Sequence, residues 1–288
     1  MRFPTSTQLM AILNITPDSF SDGGKLLNRV DIMRSAEHAL MCGASILDVG
    51  GESTRPGAIS ISEEEEMARV LPTVKLLHEE FPEAVISIDT RKAAVAHAAV
   101  EAGASMINDV SGLTYDGDLM LRVATVAQKN QAAQKKQSIK LVITHSQGTP
   151  DQMQDNPEYP DGVVETVTQF FEKQIDRICT AGFKRENIII DPGFGFGKTI
   201  AHNLTLLGAL AVFKKFELPV MAGLSRKSFL TLGNRDILPQ EREALTAAAI
   251  TIALQNGADI IRLHDVEAQM PVVRLTESLL NAAKVQVH

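Results

Sequence analysis

GASILD (43–48), GASMIN (103–108) and GADIIR (257–262) spell one phrase three times: Gly, Ala, a spacer, two apolar residues and a polar one. Glycine closes a helix in the left-handed conformation that side chains resist, and the apolar pair that follows at once starts a strand. The polar residue then ends that strand at the opposite rim. This is the grammar of a repeated βα unit. Its appearance in each third of the chain predicts one architecture from end to end, a single domain over residues 1–288.

Working outward from that phrase, apolar runs of strand length fall at 8–14, 45–49, 85–89, 105–110, 140–145, 187–191, 219–222 and 259–264, with helix-like stretches between them. Eight parallel strands close a barrel, so the expected fold class is α/β, a (β/α)8 TIM barrel. Helix punctuation agrees: Ser62 with Glu65 can form a capping box, Pro72 sits within or kinks the helix that follows, and 241–257 is Ala-rich and ends in Gly. The run Glu63 to Glu66 reads as a solvated first turn favoured by the helix dipole. Connections 15–30, 50–61 and 147–162 are long and all follow strands. Long loops gathered on one rim cover an active site.

With 44% hydrophobic residues in 288, the chain can bury a large core. The net charge of −7 and the scattered basic residues exclude a nucleic-acid or anionic-membrane surface. QKKQ (134–137), inside the insertion-like AAQKKQS (132–138), reads as a solvated loop. Cys42 and Cys179 form no CxxC pattern and fit two free thiols in a reducing cytosol. MRFPTST has neither a signal-peptide core nor a transit pattern, and no stretch reaches 18 apolar residues, so a soluble cytoplasmic protein is expected.

The last polar residue of each strand gives Asn14, Asp48, Asp89, Asn108, His145, Asp191 and the pair Arg262/His264, with Ser225, Arg226 and Lys227 just after the seventh. Burying so many polar groups is costly unless they satisfy one another or wait for a ligand. The ring divides by charge. Lys227, Arg262 and His264 suit an anion at strands seven and eight, whereas Asp48, Asp89 and Asp191 suit a polar heterocycle or a developing cation. Asn14, followed by ITPDSFSDGG (15–24), can hold a hard divalent ion together with a ligand phosphate, since Mg2+ takes few protein oxygens. No HExxH or Cys/His cluster points to zinc. DPGFGFGK (191–198) ends like a phosphate loop, but Pro192 occupies the position where that pattern requires Gly. Its glycines instead give a tight path that lets Phe194 or Phe196 line the pocket mouth.

Read in order, ILNITPDSFSDGG (12–24), LDVGGESTRPG (47–57), SIDTRK (87–92), INDVSG (107–112), THSQGTP (144–150), IIIDPGFGFGK (188–198), GLSRKSFL (223–230) and IRLHDV (261–266) resemble the dihydropteroate synthases of the pterin-binding barrel family. The resemblance implies a TIM barrel, usually a homodimer, that condenses 4-aminobenzoate with 6-hydroxymethyl-7,8-dihydropterin diphosphate to 7,8-dihydropteroate and pyrophosphate in folate biosynthesis, and that belongs to the sulfonamide target family. It assigns Asp89, Asn108, Asp191 and Lys227 to the pterin pocket, with Arg262 stacked on the ring. Asn14 matches the Mg2+ and phosphate ligand. Thr54, Arg262 and His264 match diphosphate-binding residues, and Arg55, Phe196, Lys227 and Ser228 those around the aminobenzoate. The implied mechanism is ionisation at the pterin methylene, with Mg2+ and cations stabilising the departing pyrophosphate and Asp89 the carbocation; Asp89, Lys227 and Arg262 carry the catalysis. Thr144 and Ser146 stand where the family usually has Met, and Ser146 shortens the wall beside the pterin. Two alternatives accompany this reading: a methyltetrahydrofolate-dependent methyltransferase, which has no diphosphate to hold, and a non-catalytic pterin-binding paralogue, favoured only by Ser146.

Overall fold

The computed structural model describes residues 7–15, 25–53, 60–133, 138–148, 153, 156–234 and 236–285. Among them, eight strands alternate with eight α-helices: β1 (Gln8–Asn14), α1 (Lys25–Met41), β2 (Ile46–Gly50), α2 (Glu63–Glu80), β3 (Val85–Asp89), α3 (Ala93–Glu101), β4 (Met106–Asp109), α4 (Gly117–Ala133), β5 (Lys140–Thr144), α5 (Val163–Thr180), β6 (Ile188–Asp191), α6 (Ile200–Gly208), β7 (Met221–Ala222), α7 (Glu243–Gln255), β8 (Ile260–Leu263) and α8 (Val266–Val285). The strands pair in parallel in the order β6-β5-β4-β3-β2-β1-β8-β7. A single parallel bridge between Ile190 and Val220 joins the two ends, so the sheet closes into the expected barrel. The closure is thin: β7 has two residues, and the Ile190 amide reaches the Pro219 carbonyl at 3.0 Å.

Strand alternation then decides what faces the interior. Met10, Ile46, Met106, Val142, Ile189, Met221 and Ile260, from seven of the strands, form their own buried cluster, with Val85 of β3 against it. Their neighbours Leu9, Leu47, Ile107, Leu141, Ile188, Ala222 and Ile261 join the larger core that contains the helices' apolar faces. Two residues beyond the inner apolar layer, on the same face of six of the strands, stand Asp48, Ser87, Asn108, Thr144, Asp191 and Arg262. The barrel is therefore plugged by hydrocarbon below and lined by polar groups above. Each fully buried aliphatic side chain of the plug contributes about 1.5–3 kcal/mol, a rigid floor for that polar layer.

Glu66 corrects one expectation. Glu63, Glu64 and Glu65 are exposed, and Ser62 Oγ caps the helix by accepting the Glu65 amide at 3.2 Å, but Glu66 is completely buried. Its spacing explains this, because Glu66, Val70, Val74 and Leu77 share one stripe of α2 and that stripe faces the core. Pro72 lies inside α2. Of the segment 132–138, residues 134–137 lie outside the described residues, and α4 runs to Ala133.

Candidate active site

Strand register brings the predicted polar residues to one level. Asn14 pairs with Gly50, Gly50 with Asp89, and Asp89 with Asn108. Gly50 keeps the middle of that row open: a Cβ there would lie 3.5 Å from Asp89 Cβ and 3.7 Å from Asn14 Oδ1. Across the barrel, Arg262 grips two carboxylates, donating from Nε to Asp48 Oδ2 at 2.7 Å and from Nη2 to Asp89 Oδ2 at 2.6 Å. Asn108 Nδ2 also donates to Asp48 Oδ2, at 3.2 Å. Burial opposes the charge of Arg262, but Asp48 and Asp89 hold its pKa above the ordinary value. For Asp89 burial dominates and pushes the carboxyl above the usual carboxylate range, with Arg262 pulling against it.

The mutual satisfaction is incomplete. Asp48 Oδ1, Asp89 Oδ1, Asn108 Oδ1, Ser87 Oγ and Thr144 Oγ1 are buried with no hydrogen-bond partner among the described residues. An unsatisfied buried acceptor costs on the order of 1–3 kcal/mol. Five on adjacent strands leave acceptor capacity that a ligand bringing N–H and O–H donors would satisfy.

Asp191 ends β6, and its Oδ1 accepts the Gly193 amide at 2.8 Å; burial raises its pKa, opposed by that bond and by Lys227. Gly193 begins the 193–197 turn at φ +71°, and a Cβ there would fall 1.9 Å from the His145 carbonyl oxygen, so only glycine fits. The turn separates the two phenylalanines. Phe194 is buried and stacked on Phe229, whereas half-buried Phe196 lies under the Lys227 ammonium, 4.2 Å from its ring centroid. Phe196 is thus the one of the two left partly exposed. Burial, reinforced by Arg262, pushes the Lys227 pKa down to about 8, while Asp191 and Asp89 oppose the shift. Ser228, exposed, opens the 3-10 turn Ser228–Thr231 that follows.

Lys198 turns inward. It donates to the carbonyls of Gly193 (2.9 Å), Phe196 (3.0 Å) and His145 (3.2 Å), and lies 2.9 Å from His145 Nδ1. Burial lowers its pKa to about 7. Burial and the Lys198 charge push His145 down to about 2, so the imidazole is neutral, and Nδ1, accepting from the ammonium, leaves the ring proton on Nε2. Sequence reading gave Lys198 no role beyond an unfulfilled phosphate-loop pattern.

At the eighth strand, His264 meets Ser225 Oγ through its amide (3.2 Å) and through Nδ1 (3.0 Å). Thr54 and Arg55 lie outside the described residues, as does 16–24. The flanks of 54–59 are held firmly: Glu52 accepts from Ser60 Oγ (2.9 Å), the Ile61 amide (3.0 Å), Lys92 Nζ (3.0 Å) and Arg91 Nε (3.1 Å). Lys92 also reaches the buried Glu66 at 2.6 Å. Ser146, expected to shorten a wall of the site, is half-buried. Asn14 supplies one amide oxygen facing the space over Gly50, and no carboxylate cluster accompanies it among the described residues. One hard oxygen fits an ion whose remaining positions go to phosphate and water.

Residues 10–264 match the family described as pterin binding enzyme. The chain is 42% identical to the dihydropteroate synthase of Escherichia coli K12 over 275 residues, covering 95% of this chain and 92% of that one. Among solved structures, it resembles Yersinia pestis dihydropteroate synthase in a sulfonamide drug complex (TM-score 0.84, 39% identity, 96% and 94% of the two chains). Dihydropteroate synthase from Xanthomonas albilineans with 4-aminobenzoic acid is similarly close (TM-score 0.84, 38% identity, 95% and 93%).

Proposed function

The chain belongs to the pterin-binding enzyme family, as one of its dihydropteroate synthases, and from that premise we propose how its own residues carry the reaction. The condensation joins the 4-aminobenzoate amine to the methylene of 6-hydroxymethyl-7,8-dihydropterin diphosphate, forming a C–N bond and releasing pyrophosphate. The observation that carries the assignment of roles is the row of unpartnered buried oxygens on Asp48, Asp89, Asn108, Ser87 and Thr144.

A pterin edge presents an amide N–H beside an exocyclic amine, and Asp191 accepts both, each carboxylate oxygen having two lone pairs. Asn108 and Asp89 take further ring donors. Arg262, its plane fixed by Asp48 and Asp89, stacks on the heterocycle and turns remaining donors toward the diphosphate, joined there by His264 and by Thr54. Asn14 would hold Mg2+ against the diphosphate; when bound, that ion supplies charge for the departing pyrophosphate. Asp48, Asp89 and Asp191 place negative charge around the methylene, countered in part by Arg262, Lys227 and Lys198. Fixed charge of that sign favours the carbocation at no cost of reorganisation. The aminobenzoate lies on Phe196 beside Lys227 and Ser228, with Arg55 at its carboxylate, and its amine attacks the cation. No protein nucleophile takes part. The assembly proposed is a homodimer in the cytoplasm, supported by exposed apolar residues on α6, α7 and α8 and by two free cysteines.

Incubation with the pterin diphosphate, 4-aminobenzoate and Mg2+ is expected to yield dihydropteroate and pyrophosphate in equal amounts, and turnover should be lost in chelator. Undiminished turnover without divalent ions, or equal turnover of the free pterin alcohol, overturns this mechanism.

A further inference from the structure

Lys198 is a buried lysine to which the reaction above gives no part and which, unlike Lys92, faces no carboxylate within hydrogen-bond reach. The residue is 3% exposed, and its ammonium faces neutral acceptors only: the carbonyls of Gly193, Phe196 and His145, and His145 Nδ1, all between 2.9 and 3.2 Å. An ammonium has three donors, so these acceptors saturate it. They come from both ends of the 193–196 turn and from the end of β5, so one charge ties three backbone segments together.

What the turn carries gives this tie a consequence at the site. The Gly193 amide holds one oxygen of Asp191, and Phe196 lies under the Lys227 ammonium at 4.2 Å. The glycines cannot hold the turn by themselves, since Gly193, Gly195 and Gly197 sit at φ +71°, +79° and +62° in a backbone that costs glycine the most entropy to fix. Other holds exist, since the Phe196 amide donates to the Gly193 carbonyl at 3.1 Å, Asn203 accepts the Gly195 amide at 2.7 Å and Tyr159 Oη donates to the Gly197 carbonyl at 2.7 Å, but none of these bonds ties the Gly193 and Phe196 carbonyls to β5 as Lys198 does. We propose that Lys198 is a positioning residue for the 4-aminobenzoate half of the site: by gathering the Gly193 and Phe196 carbonyls around one ammonium, it sets the place of the Phe196 ring and of Lys227 above it. This rests on the placement of 4-aminobenzoate beside Phe196 and Lys227. The pterin half stands mainly on β2, β3, β4 and β8 and meets the turn only at its edge, at Asp191, held by the Gly193 amide, and at Lys227 above Phe196, so the smaller effect is expected there.

The test is a set of Michaelis constants on purified full-length variants. Lys198→Met, which keeps the apolar stem as far as Cε and removes the donors, is expected to raise KM for 4-aminobenzoate about tenfold while KM for the pterin diphosphate changes less than about threefold. Phe196→Ala serves as the reference. If it leaves KM for 4-aminobenzoate unchanged, the placement itself fails and the inference with it. If Phe196→Ala raises KM and folded Lys198→Met does not, the inference alone is overturned. An equal rise for both substrates also overturns it, because general loosening does not discriminate between them. Should Lys198→Met fail to fold, Lys198→Gln, which retains two N–H donors, is judged by the same split. If neither variant folds, Lys198 belongs to the fold and the proposal falls.

Discussion

Lys227 must be charged and buried at once, and the two demands pull its titration and its function in opposite directions. Burial, then Arg262, lowers its pKa from 10.5 to about 8. Between those values the unfolded chain binds a proton that the folded chain has shed, so Lys227's contribution to stability grows as pH rises through that window. Function runs the other way, since the anionic aminobenzoate needs the ammonium. kcat/KM for 4-aminobenzoate is therefore expected to fall above about pH 8 without a matching loss of thermal stability. Lys227→Arg keeps its charge throughout this range and should move that limb upward, whatever it does to the absolute rate. A wild-type profile flat to about pH 10 would remove Lys227's charge from the mechanism. His145 adds no limb of its own, because its pKa of about 2 leaves it neutral throughout.

Among the elements, the starts of α2 and α3 are joined to the flank of 54–59 by charge. Lys92 lies between Glu52 and Glu66, whose side chains are 7% and 1% exposed. Burial works against the lysine, yet its bonds to Glu66 and Glu52 hold its pKa above the ordinary value. Lys92→Met would leave the buried Glu66 without its cation, while Glu52 keeps Arg91, and is expected to cost about 3–5 kcal/mol in urea unfolding at neutral pH. Adding Glu66→Gln should recover part of that loss, as expected of coupled residues; a single variant within about 1 kcal/mol of wild type would show that water reaches the cluster. Neither this cluster nor the Lys198 cradle was legible in the sequence. Strands were, because short apolar runs ending in a polar residue are a local signal: even the two-residue β7 falls inside the expected 219–222. So was most of the ring, since the strand period fixes which residue ends inward; at β5 that residue is Thr144, and His145, expected in the ring, turns outward against Phe170 and Tyr159. Contacts set by closure of the barrel were not. Asp48 was read as a strand end, but its grip on Arg262 spans 214 positions; Glu66 was read with its exposed neighbours because the stripe it shares shows only once α2 is packed. On the surface, His38 and Cys42 of the α1 end meet Glu267 of α8, a His/Cys/Glu grouping that linear spacing hides.

For the whole molecule, the strand-end ring is built from one chain, so the proposed dimer must be argued from the outside of the barrel. Leu204 of α6, Val212 of the 3-10 turn Leu210–Phe216, Ile252 of α7, and Leu275 and Leu279 of α8 are 41–63% exposed. Single exposed apolar residues are ordinary. Here α6 packs on α7 and α7 on α8, and Leu275 and Leu279, four residues apart, share a face, so these residues fall on adjoining elements. A stable dimer covers about 800 Å² on each partner, an area that three adjacent helices can supply. The −7 charge keeps the remaining surface repulsive between copies and confines association to such a patch. Light scattering on the purified chain is expected to give twice 31.2 kDa, and Leu275→Glu with Leu279→Glu to give the single mass, since two carboxylates facing their symmetry mates cannot be desolvated without partners. The separated chains should still turn over both substrates, because the ring needs nothing from a second copy. A wild-type chain at 31.2 kDa, or a double variant that stays dimeric, would move the interface elsewhere or dissolve it.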